Sequence, residues 1–270
     1  MKRFSAALLV LGLGTATLFT QLPVRAAEKT ADTAADTAVQ TADPSIVTTN
    51  GIQGWPQASD ISSTAAIVME TSTNTVLYSK NADQALYPAS AVKVMTCLMA
   101  LENSSLDDQV TMTATGVSGV TDGGANISAQ LDEVFTMEQC LYAIMVASAN
   151  DIALQVAEHI SGSVEDFVAA MNTRAQELGC TNTVFTNPTG LPDENQHTTA
   201  HDMALIMEAA MANDTFRTIA QTTSYTIPAT NVSGGDRVLT NNFTMINSSS
   251  DSYYEPCIGG KEGYTEASGS

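Results

Sequence analysis

Two short apolar runs open the patterned part of the chain. Residues 65–69 and 75–79 flank the turn residues Thr71, Ser72, Thr73 and Asn74, which predicts a β-hairpin. Pro88 then breaks the pattern, and the period changes. Over residues 90–101, Val92, Met95 and Met99 recur at helical spacing, so one face of a helix is apolar. Residues 136–146 predict a second helix, with Thr136 as its N-cap, and residues 151–160 a third. Residues 163–178 are amphipathic: Val164, Phe167, Met171, Ala175 and Leu178 share a face, and Gly179 suits the C-terminal stop. Residues 199–212 open with Thr199 and Asp202 at capping-box spacing. Residues 224–227, 237–239 and the stretch from Cys257 read as β-like. A hairpin, then helices, then strands predicts an α+β fold in which helices pack on a sheet.

The N-terminus carries a different pattern. Lys2 and Arg3 precede an apolar run over residues 6–19, and Val24, Arg25 and Ala26 supply a cleavage site, so residues 1–26 read as an export signal. The run is shorter than the ~20 residues a spanning helix needs. Residues 27–57 are an acidic Ala/Thr/Asp-rich stretch with little to bury, and read as a flexible linker. This leaves residues 58–270 as one domain. The chain has 270 residues, and its formal net charge of -19 argues against nucleic acid and against anionic lipid surfaces. Cys97, Cys140, Cys180 and Cys257 match no zinc or redox spacing, and read as buried thiols, with disulfides open in an exported chain.

Lysine is scarce: only Lys2, Lys29, Lys80, Lys93 and Lys261 occur. Two of the five fall in candidate chemical motifs. Ser90 and Lys93 stand three apart at the start of a predicted helix, on one face. The amine can reach and activate the hydroxyl there, although a bare Ser-x-x-Lys also describes a capped helix with a surface lysine. Ser148 and Asn150 sit in the break between two apolar helices, where they line a cleft or simply cap a helix. Gly259, Gly260, Lys261, Glu262, Gly263 and Tyr264 follow, reading as a lysine on a glycine-flanked strand or as a glycine-rich turn.

In this order the three motifs resemble those of penicillin-binding proteins and serine β-lactamases, Ser-x-x-Lys, Ser-x-Asn and Lys-Thr-Gly. Residues 87–96, the helix before Ser148, residues 186–191 and residues 197–206 further resemble exported D-alanyl-D-alanine carboxypeptidases, the low-molecular-weight penicillin-binding proteins. The resemblance implies a transpeptidase-like fold, an antiparallel sheet with a helical subdomain. It implies Ser90 as the acylated nucleophile, Lys93 as its general base, and Ser148 and Asn150 lining the cleft. Lys261 would bind the substrate's terminal carboxylate beside Gly263, and the backbone N–H groups of Ser90 and Tyr264 would form the oxyanion hole. The implied partners are the pentapeptide stem of peptidoglycan and β-lactams as covalent inhibitors, acting outside the cytoplasm with no cofactor and no metal.

Two departures modify this expectation. The family carries Thr, or sometimes Ser, where this chain has Glu262, and a carboxylate there would face the substrate's own. The family also continues past its third motif with two strands and a terminal helix, which commonly carries the membrane anchor. The chain stops at Ser270, so a domain incomplete at its C-terminus, without those strands and without an anchor, is expected. Three alternatives stay open: a serine β-lactamase, an inactive penicillin-binding pseudoenzyme or fragment, and a zinc site at His197 and His201, which are four apart.

Overall fold

The computed structural model describes residues 46–48, 52–54, 59, 61–120 and 124–268. The predicted export signal, and all of the linker except residues 46–48 and 52–54, lie outside the described residues. Ile46–Thr48 forms strand β1, so part of the stretch expected to be linker belongs to a sheet. It pairs antiparallel with β3 (Thr75–Lys80), which also pairs with β2 (Ala66–Glu70). The hairpin β2–β3 is the one the alternation predicted. The buried positions of β2, Ile67 and Met69, pack with Ala204.

Helix α1 (Lys93–Asn103) follows a short 3-10 turn over Ala89–Val92. Strand β4 (Gln109–Thr111) and the short α2 (Ala114–Ser118) lead to β5 (Val134–Thr136), which pairs with β4. Thr136 then caps α3 (Met137–Val146) in a full capping box with Gln139. Helices α4 (Asn150–Ser161), α5 (Val164–Glu177), α6 (Ala200–Met211) and α7 (Asp214–Ala220) come next, then the hairpin of β6 (Ser224–Ile227) and β7 (Arg237–Thr240). Ser163, Thr199 and Asn213 each cap the helix they precede with their side chains. The pattern missed β4, β5, α2 and α7, all of seven residues or fewer, too short for a period to show.

Helix α1 is the centre of the main core. The apolar stripe expected along it is in fact a complete jacket, because every residue from Lys93 to Ala100 is buried. Met95, Leu98 and Met99 meet Leu141, Ile144 and Met145 of α3, Ile152 and Val156 of α4, and Phe167 and Met171 of α5 in one cluster. Burial of each large side chain contributes roughly 1.5–3 kcal/mol, which is ample to hold one polar residue in place. A charged residue on a helix buried all round is costly unless it is paired. Lys93 is such a residue.

The stretch from Cys257 corrects one expectation. Residues 257–264 form no strand. Gly259, at φ +131, and Gly260 let the backbone press against Ala220 and the Phe243 ring, where a Cβ would approach within 2.9 Å of either. Among the described residues, side packing of this kind holds residues 259–260.

Candidate active site

The Ser90 turn is set by its backbone neighbours. Pro88 fixes the chain before it, and Ala89 takes φ +48, a left-handed conformation unusual for a residue with a side chain. Gly190 lies directly on this turn: a Cβ there would sit 1.9 Å from the Ala89 carbonyl oxygen. Only glycine permits that approach. Strain and close packing together put Ser90, half-buried, one turn above Lys93.

Lys93 has no exposed surface, and its amine meets three oxygen partners. Nζ lies 3.2 Å from Ser90 Oγ and 2.6 Å from Asn150 Oδ1, and donates to the carbonyl of Thr189. Two of these partners can only accept, whereas the third is a hydroxyl that can also donate. A neutral amine fits this set: two N–H groups serve Asn150 and Thr189, and the lone pair faces the Ser90 proton. Burial, reinforced by the like charge of Lys261, holds the Lys93 amine well below its ordinary pKa. The geometry suits an ammonium donating to all three oxygens or a neutral amine with its lone pair on Ser90, and the lowered pKa favours the neutral form, which can act as a base.

Asn150 arrives from the second motif. Helix α3 ends at Ala147, Ser148 takes φ +56, and the Ala149 N–H returns to the Ala143 carbonyl. That closure normally uses glycine in the left-handed position. A serine held there, buried, at the junction with α4 is a strained residue next to a chemical one. Thr189 arrives from the loop over residues 186–191. Asn187 Oδ1 accepts from the Thr189 N–H, the Thr189 hydroxyl and the Gly190 N–H, and Thr96 Oγ1 donates to the Pro188 carbonyl at 2.7 Å. This loop fits the resemblance of residues 186–191, but the role of Thr189 was invisible, since its backbone carbonyl makes the contact.

The third motif closes the site from the other side. A Cβ on Gly263 would lie 2.8 Å from the Ser90 nitrogen and 3.1 Å from that of Ala91, so this segment runs against the N–H of the nucleophile turn. Lys261 is buried, and burial lowers its amine to about 8 against the opposing pull of Glu262 and Cys97. Its Nζ donates to the Glu262 carbonyl at 2.7 Å. Glu262 is half-buried, and burial raises its carboxyl against the pull of Lys261. Tyr264 is exposed. A cavity of about 140 Å³ lies beside this segment, lined by Tyr87, Ala91, Met203, Lys261 and Gly263 among others, but not by Ser90, Lys93, Ser148 or Asn150.

Thus Ser90, Lys93 and Asn150 are in direct contact, and Gly263 presses on the same turn. The two histidines diverge. His197 Nδ1 meets the Asn195 carbonyl and His201 Nδ1 meets Asp83, each at 3.0 Å. Among the described residues no three His, Cys, Asp or Glu side chains gather to hold a metal. Cys97, Cys140 and Cys180 are buried free thiols and Cys257 a half-buried one. No described helix is long and apolar enough to cross a membrane.

A family model described as D-alanyl-D-alanine carboxypeptidase matches residues 52–270. The D-alanyl-D-alanine carboxypeptidase DacF of Bacillus subtilis is 40% identical over 147 residues, covering 53% of this chain and 37% of its own. The carboxypeptidase DacB2 of Mycobacterium tuberculosis is 34% identical over 206 residues, covering 74% and 66%. The chain thus spans less than two thirds of the length of either relative. Among solved structures, a D-alanyl-D-alanine carboxypeptidase from M. tuberculosis H37Rv superposes with a TM-score of 0.69 at 30% identity, covering 80% of this chain and 78% of that one. The Streptomyces K15 DD-transpeptidase superposes with a TM-score of 0.72 at 28% identity, covering 78% and 84%.

Proposed function

Since the chain belongs to the D-alanyl-D-alanine carboxypeptidase family of serine peptidases, we propose that it acts on D-Ala-D-Ala stem peptides through an acyl-enzyme on Ser90. The single observation that carries this reading is the Lys93 amine, buried and lowered in pKa, facing Ser90 Oγ with its two other partners pure acceptors. Ser90 Oγ attacks the carbonyl between the two D-alanines as Lys93 takes its proton. The N–H groups of Ser90 and Tyr264 stabilise the oxyanion. The C–N bond breaks, terminal D-alanine leaves with a proton relayed through Ser148 and Lys93, and water then hydrolyses the ester. Lys261 meets the substrate's terminal carboxylate, with Gly263 leaving room for the peptide backbone. Penicillins acylate the same serine by opening of the β-lactam ring. An export signal over residues 1–26 would carry this chemistry outside the cytoplasm, and the catalytic domain takes in strand β1 together with residues 58–270.

A fluorescent penicillin tests the reading. Wild-type chain takes the label covalently and Ser90→Ala does not. Equal labelling of both, or none of the wild type, sinks it. One observation favours a second reading. Glu262 brings a half-buried carboxylate into the third motif, which suits a penicillin-binding protein that acylates yet turns over carboxylate substrates slowly. Release of D-alanine from a Lys-D-Ala-D-Ala peptide, measured beside the labelling, separates the two.

A further inference from the structure

Asp151 follows Asn150 directly, and its side chain is 4% exposed. Burial raises its carboxyl, and four backbone N–H groups, those of Ala129, Ile152, Ile127 and Asp151 itself, pull the other way. Oδ1 accepts from Ile152 at 2.9 Å, within its own helix turn. Oδ2 accepts from Ile127 at 3.2 Å and Ala129 at 3.1 Å. Those two donors belong to a loop between α2 and β5. They converge on one oxygen because Ser128, between them, takes φ +56.

The same loop touches Asn150 twice. The Asn150 N–H donates to the Ala125 carbonyl at 2.8 Å. Gly124 packs so tightly on the Asn150 amide that a Cβ would lie 2.5 Å from Nδ2. The other face of that amide holds Lys93 Nζ at 2.6 Å. The far end of the loop is tied down separately. Glu133, with no exposed surface, accepts from the Gln130 N–H at 2.9 Å, from Thr230 Oγ1 at 2.5 Å and from both ends of the Arg237 guanidinium.

We propose that Asp151 is a positioning residue: it clamps the loop over residues 124–129 against Asn150, and through the Asn150 amide it fixes the Lys93 amine relative to Ser90. The inference rests on the reading of Ser90 as nucleophile. A carboxylate suits the task because it accepts three N–H groups at once and donates none. An asparagine in its place turns an N–H₂ toward at least one of those donors.

The test is the rate of acylation by a fluorescent penicillin, resolved into the initial complex and the covalent step. Asp151→Asn lowers the covalent rate constant at least about tenfold, while the dissociation constant of the initial complex moves less than about twofold. Ser128→Val disfavours the left-handed turn without touching the carboxylate, and lowers the same constant by about threefold. Loss of stability alone would shrink the fraction of chain labelled and leave the rate constant as it was. Glu133→Gln supplies that control, because it loosens the far end of the loop only. Hydrogen exchange supplies a readout free of acylation: the Ile127 and Ala129 amides lose protection in Asp151→Asn. Unchanged rate constants in both Asp151→Asn and Ser128→Val overturn the proposal, and so does retained protection of the two amides. If wild type takes no label while the amides still open in the variant, the Ser90 reading has failed, and Asp151 is left a structural clamp only.

Discussion

The two halves of the site are built by different means. On the α1 side, Ser90 and Lys93 of one turn, Asn150 and Thr189 come from three separate segments and meet through hydrogen bonds inside a buried core. On the other side, residues 257–264 lie against the core by glycine contacts with Ala220, Phe243 and Ser90. Among the described residues, Lys261 donates only to the carbonyl of its own neighbour there. The first half is preorganised, since moving any member strands a buried polar group at a cost of about 1–3 kcal/mol. The second half is fitted by shape, and shape fails through overpacking, not through loss of partners. Proton transfer demands the tighter positioning, and the half that performs it has the denser bonding.

The largest effect tests the bonded half. Lys93→Met keeps the helix, since Met is a good helix former, but removes the base. The rate of Ser90 acylation falls by about 10²–10⁴-fold with the far-UV spectrum unchanged, as stopped-flow labelling and circular dichroism will report. A loss under tenfold would mean that another group takes the serine proton. The next effect tests the fitted half. Gly263→Ala drives a methyl toward the Ser90 nitrogen, where the unrelaxed separation is 2.8 Å. The Ser90 and Ala91 backbone nitrogens and the Ala89 Cβ that it meets have little room to yield, so acylation slows about 100-fold while the melting temperature changes little. Full activity in Gly263→Ala would show that the segment moves freely, and the contrast between the halves would collapse.

The same division explains what the sequence could reveal. Ser90 and Lys93 were legible because a helix makes neighbours of residues three apart. The hairpin and five helices were legible from period and caps, Thr136, Ser163 and Thr199 among them. Thr189 was not, because its contribution is a backbone carbonyl that any residue type could provide. Asp151 was not, because an acidic residue in the first turn of a helix has an ordinary explanation in the helix dipole. Residues 257–264 were misjudged as a strand. Their pattern fits one, but a strand exists only with a partner, and partners are set by tertiary structure. The linker boundary moved for the same reason, since Ile46–Thr48 becomes a strand only by pairing with β3.

A smaller effect sharpens the fitted half further. Glu262 stands where the family carries a hydroxyl, beside the lysine that would receive the substrate carboxylate. Two like charges about 4 Å apart repel by about 1 kcal/mol even in water. Glu262→Thr removes that repulsion and supplies a hydroxyl donor, so D-alanine release from a Lys-D-Ala-D-Ala peptide rises about fivefold or more. Labelling at saturating penicillin changes less, because the bonded half that performs it is untouched. If release does not rise, Glu262 points away from the subsite and the slow-turnover reading loses its support.

The smallest effect separates the two lysines by pH. Lys93 is held well below its ordinary pKa, and raising the pH can only increase its neutral, base-competent fraction. Lys261 is lowered only to about 8, so it keeps its charge below that pH and loses it above. A carboxylate substrate needs the charge. Raising the pH from 7.5 to 8.5 therefore reduces the charged fraction of Lys261 by about threefold, and kcat/KM for the Lys-D-Ala-D-Ala peptide falls in proportion. The C-terminally amidated peptide has no carboxylate to lose, and its kcat/KM, though lower throughout, does not fall over the same interval. The sign follows from the direction of each shift: a lysine that must be neutral works above its pKa, and a lysine that must be charged works below its own. A parallel fall for both peptides would show that the alkaline limb does not report carboxylate binding, and would assign Lys261 a structural role in its place.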